Sequence, residues 1–128
     1  MSLTQLEQTL FAHYAAHGAN DLAPATRWYP YGELVMIIED KVKVGARKFG
    51  FKVTGKAKTA ATAFLDHMLE KGAWATTQNE FGGTMHQFQA ASYKAALAEL
   101  QASDPIIQAA AAGGEAFWAD TFAALIAA

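Results

Sequence analysis

Residues 54–90, TGKAKTAATAFLDHMLEKGAWATTQNEFGGTMHQFQA, change their apolar period once, and that change decides the fold. Ala61, Phe64, Leu65, Met68 and Leu69 recur at the spacing of one helix face, with Thr54 placed to cap the start and Gly72 to end it. From Ala73 onward, two strand-like arms flank Phe81-Gly82-Gly83-Thr84, which reads as a β-hairpin turn. A helix that runs directly into a hairpin predicts an α+β domain.

Upstream, Leu3, Leu6, Leu10 and Tyr14 predict a first helix over 3–17, closed by Gly18. The stretch 19–30, with Pro24, Pro30 and the aromatic cluster Trp28, Tyr29 and Tyr31, reads as a loop. Leu34, Val35, Ile37, Ile38 and Val42 fit one face of a helix over about 33–45, although their β-branched content also suits a strand. Phe49, Phe51 and Val53 then alternate with Gly50 and Lys52, the pattern of a short strand over 49–53. Downstream, Tyr93, Ala96, Leu97 and Leu100 predict a helix over 92–101. Asp104-Pro105 starts another that breaks at Gly113-Gly114, and Trp118, Phe122, Leu125 and Ile126 stripe a last helix over 115–128.

A chain of 128 residues is long enough for one self-supporting domain, here mostly helical with a small antiparallel hairpin sheet. The absence of cysteine excludes disulfides and thiolate chemistry and makes a reducing cytoplasm the expected location. The N-terminus lacks a basic segment before an apolar run, and no run approaches the ~20 residues of a membrane span, so no membrane association is expected. The element order over about 31–101 resembles the winged-helix plan, with the hairpin as the wing and 104–128 as a C-terminal helical extension. One departure is expected: a standard winged helix has two helices between its first strand and the wing, whereas here only 54–71 would separate the 49–53 strand from the hairpin.

Seven of the ten basic residues, Lys41, Lys43, Arg47, Lys48, Lys52, Lys56 and Lys58, fall in one window without an Asp or Glu. Such a stretch suits a phosphate backbone or another anion, but the hairpin between Trp74 and Gln89 has no Lys or Arg and carries Glu80, which would repel phosphate. Arg27, Trp28, Tyr29 and Tyr31 form a second candidate, a pocket for a flat ligand. His13 and His17, four residues apart on the first helix, could share a metal only with a third ligand such as His67, His86 or Glu80, so no metal site is assigned. No cofactor motif or catalytic constellation is present, and neither Glu39-Asp40 nor Asp66-His67 converges on one helix face. The expected function is therefore a non-enzymatic interaction or regulatory domain, homodimeric through its apolar terminal helices or engaging a protein partner. Nucleic-acid binding through the basic window comes second, and small-ligand or metal binding third.

Overall fold

The computed structural model describes residues 3–21, 27–50 and 55–127. Helix α1 (Gln5–His13) opens on a reciprocal cap: the Glu7 N–H donates to the Thr4 hydroxyl, and the Thr4 N–H donates to the Glu7 carboxylate at 2.8 Å. It does not end at a glycine cap. It widens into a π turn over Tyr14–Gly18, in which the Ala19 N–H reaches back to the Tyr14 carbonyl, and a short 3-10 turn follows at Ala19–Asp21.

Next come β1 (Trp28–Pro30), α2 (Tyr31–Arg47), α3 (Gly55–Glu70), β2 (Trp74–Gln78), β3 (Thr84–Phe88), α4 (Ala90–Ser103) and α5 (Pro105–Ala127). The ambiguous stretch at 33–45 is helical because its face of Leu34, Val35, Ile38, Val42 and Ala46 is buried, and that burial outweighs the weak β preference of Val and Ile.

The structure corrects the expected first strand. Phe49 and Gly50 form the turn that ends α2, their N–H groups donating to Ala46 and Arg47 carbonyls, while residues 51–54, with Lys52 and the expected Thr54 cap, lie outside the described residues. Among the described residues the strand that pairs with the hairpin ahead of α2 is β1, inside the stretch read as a loop, aligned antiparallel with Trp28 opposite Gln87, Tyr29 opposite His86 and Pro30 opposite Met85. Three residues are too few to show alternation. A proline also speaks against a strand, except at a sheet edge, where β1 lies.

The sheet runs β1-β3-β2, all antiparallel, and Asn79 shapes the hairpin loop by accepting from the Phe81 and Gly83 N–H groups at 2.9 and 2.8 Å. With β1 relocated, both α2 and α3 separate the first strand from the hairpin. Two helices rather than one therefore lie between them, and the described elements follow in the order α1-β1-α2-α3-β2-β3-α4-α5.

The core fills the space between α1, α2 and α3 with Leu10, Tyr14, Ile38, Phe64, Leu65 and Met68, all shielded from solvent. Tyr14 meets Phe64 edge-on at 4.8 Å, and a second aromatic group of Trp74, Phe88 and Tyr93 joins the hairpin to α4. Helix α5 begins on the Asp104 carboxylate, which accepts from the Ile106 and Ile107 N–H groups. The expected break at Gly113-Gly114 is present: Gly114 leaves helical geometry, at φ 64° and ψ −151°, and divides α5 into two helical arms that meet at a kink. The second arm of α5 then packs Trp118 and Phe122 beside His13 of α1. Among the described residues, no helix is long and apolar enough to cross a membrane.

A side chain at Gly114 would be strained in that conformation whatever the room around it. Gly114→Ala is expected to lower stability by roughly 1–3 kcal/mol and to blunt the near-ultraviolet signal of Trp118, as read by urea denaturation with circular dichroism.

Candidate functional site: the cleft at the π turn

A π turn needs more support than an α-helical turn because it leaves carbonyls out of register with the usual ladder. Helix α4 supplies that support from far along the sequence: the Tyr93 hydroxyl donates to the Ala19 carbonyl at 2.7 Å, and the Gln101 amide donates to the Ala15 carbonyl at 2.8 Å. Burial pushes the Tyr93 phenol upward, so the hydroxyl remains a donor at every ordinary pH.

The widened turn carries His13 and His17 toward α5. The His13 ring is met edge-on by Phe49, Trp118 and Phe122, with centroids 5.4, 5.0 and 5.8 Å away, and His17 lies 5.1 Å from it. On its other side α2 approaches closely at Gly45, where an added Cβ would stand 3.0 Å from the imidazole. This setting keeps the ring neutral: burial, then the nearby His17 and Lys48, lowers the His13 pKa to about 4.

Between the π turn, the end of α2, the last turn of α4 and the bend of α5 lies a cleft of about 780 Å³. Trp118, Ile107 and Ala110 form its apolar floor; Phe49, His17 and Lys48 line one side, and Gln101, Gln108 and Glu115 the other. A smaller cleft of about 350 Å³ adjoins it on the α2 side, sharing His13, His17 and Lys48 and adding Asp40 and Lys41.

The six of the seven basic residues that are described do not share one face. Two residues along a helix turn through about 200°, so Lys41 and Lys48 face the π turn while Lys43 and Arg47 look away from it. Lys43 pairs with Glu39 at 3.5 Å, Lys56 points back to Glu7 at 3.8 Å, Lys58 is exposed on the opposite side of α3, and Lys52 lies outside the described residues. The Glu7 carboxyl sits below its usual range, mainly through the Thr4 N–H, with Lys56 a smaller influence.

The aromatic candidate is also dispersed. Arg27 lies 4.2 Å over the Tyr29 ring and pairs with Glu33, Trp28 is on the sheet edge, and the Tyr31 hydroxyl donates to Asp66 at 2.7 Å. Burial first, and Asp66 second, raise the Tyr31 phenol to about 12. Neither cleft is lined by these four residues. His67, His86 and Glu80 lie on α3, β3 and the hairpin loop, and among the described residues no group of three or more His, Cys, Asp or Glu is placed to hold a metal. His86 instead bonds Thr76 across the sheet at 3.1 Å.

Sequence reasoning singled out His13, His17 and Lys48 but not their neighbours in the cleft. Gln101 and Gln108 carry no local pattern that marks them, and the stripe of Trp118 and Phe122 suggested only an apolar seam.

The His13 setting predicts a pH response of definite sign. Its folded pKa lies below the unfolded value of 6.5, so its stabilising contribution is complete above pH 6.5 and is lost as pH falls toward 4. Because the ring keeps some solvent contact, the loss should be about 2 kcal/mol rather than the full linkage value. Glu7 and His86 shift stability in the same direction, so the clean measurement is a comparison. The difference in urea stability between pH 7 and pH 4 should shrink by about that amount in His13→Leu, and the His13 ring protons should titrate near pH 4 by NMR.

Comparison with family models, with curated proteins and with solved structures found no match for this chain.

Proposed function

We propose that this chain is a non-enzymatic interaction domain on a winged-helix plan that self-associates through the outer face of α5. The observation that carries this reading is the surface of the helix beyond its kink. Ala116, Ala119, Ala123 and Ile126 are exposed at consecutive three- and four-residue spacings, and Ile126 retains 53% of its surface. From Pro105 to Ala127 the only charged residues are Glu115 and Asp120. The inner face packs on α1 through Trp118 and Phe122, while the outer one presents small apolar side chains around a single exposed carboxylate, Asp120, and small side chains permit a close helix approach.

A second reading, nucleic-acid binding, draws support from α3 being the helix that precedes the hairpin, as a recognition helix would, with Lys58 exposed in its first turn. The surfaces beside it argue the other way. Asp66 and Glu70 are exposed on α3, the hairpin loop holds Glu80 without a Lys or Arg, and the basic residues diverge around two helices.

The interaction reading predicts a dimer by light scattering at tens of micromolar that Ala119→Glu converts to a monomer with unchanged helical content. Fluorescence anisotropy with random-sequence duplex DNA should show no affinity that falls steeply between low and near-physiological salt. A monomer at all concentrations would overturn the self-association. Steep salt-dependent binding, abolished by Arg47→Gln with Lys58→Gln, would put the nucleic-acid reading first.

A further inference from the structure

The hydrogen bonds around the larger cleft fix which atoms it offers. The Gln108 side-chain amide donates to two carbonyls of α4, those of Gln101 at 2.8 Å and Ala102 at 3.0 Å, which commits both of its N–H groups. The Gln101 amide donates to the Ala15 carbonyl of the π turn. Only the NH2 end of a carboxamide can donate to a backbone carbonyl, so both orientations are set, and each side-chain oxygen remains an acceptor on a residue that lines the cleft.

The charges at the rim, Lys48 and Glu115, are opposite in sign, so neither an anionic nor a cationic ligand has a clear advantage. The floor of Trp118, Ile107 and Ala110 and the flanking Phe49 and His17 are apolar or aromatic. The neutral His13 beneath adds no charge. A volume of about 780 Å³ lies within the range of ordinary small-molecule sites.

We propose that this cleft binds a small, uncharged, planar heteroaromatic molecule of indole or purine size, whose ring lies on the apolar floor and whose N–H groups donate to the side-chain oxygens of Gln101 and Gln108. Apolar area supplies the attraction, and the two acceptors select for N–H because a ring without it would leave them unpaired on losing water. The site depends on neither self-association nor nucleic-acid binding.

The test uses matched probes on the full chain: indole against 1-methylindole, and 9-methyladenine against 9-methylpurine, which differ in a single N–H-bearing group. Proton–nitrogen NMR titration should give saturable shifts at the Trp118 indole N–H and at the Gln101 and Gln108 side-chain amides with indole or 9-methyladenine. The partner lacking the N–H should bind about tenfold more weakly. Gln108→Met, an exposed position, should weaken binding of the N–H probe severalfold while the rest of the spectrum stays in place. Absence of saturable shifts with all four probes at millimolar concentration would overturn the proposal. So would equal affinity within each pair, or shifts confined to another surface. The probe pairs decide the matter even if the variant perturbs the fold.

Discussion

The π turn at Tyr14–Gly18 is the constraint on which the remaining architecture depends. Adding one residue to a helical turn releases carbonyls that water cannot reach once the core closes, and these are met by two donors on α4, more than seventy residues away in the chain. Tyr93 also belongs to the aromatic group under the hairpin, so the same side chain fixes the turn and ties α4 to the sheet. Without the clamp, α4 would lose its register against α1, and the start of α5 would lose its place.

The kink at Gly114 depends on that placement. The first arm of α5 leaves α4 through the Asp104 cap, and the second must return to cover His13. One residue of non-helical backbone makes the return. The cleft lies in the crook of this bend, so its existence follows from a turn in α1 that is too wide and a helix in α5 that is bent. His13 sits where these features meet, neutral among Phe49, Trp118 and Phe122 and close against Gly45. A charged imidazole would have to be stripped of much of its water to occupy the same position.

Charge and topology lead in different directions in this chain. Two helices lie between the β1 strand and the hairpin, yet a run of lysines that looks continuous in sequence is divided by helical geometry, because residues two apart on α2 or α3 face opposite sides. Linear clustering becomes a surface patch only along an extended strand or at spacings of three and four. The aromatic run at 28–31 behaves similarly: an edge strand alternates its side chains between faces, and a helix beginning at Tyr31 turns the next ring toward Asp66.

The sequence by itself determined the α+β class, the positions of α3 through α5, the hairpin and the break at Gly113-Gly114, because each is written in local periodicity, caps and glycines, and it left 33–45 open between helix and strand until burial of one face decided for α2. It also marked His13, His17 and Lys48, though for roles in metal or anion binding. Only the tertiary structure decided that the first strand lies at 28–30, since a three-residue edge strand exists solely by virtue of its partner β3. Likewise, only packing decided that α1 widens into a π turn and that Gln101 and Gln108 line a cleft. Those features rest on hydrogen bonds and ring contacts between residues remote in sequence, and no local pattern encodes a partner that distant.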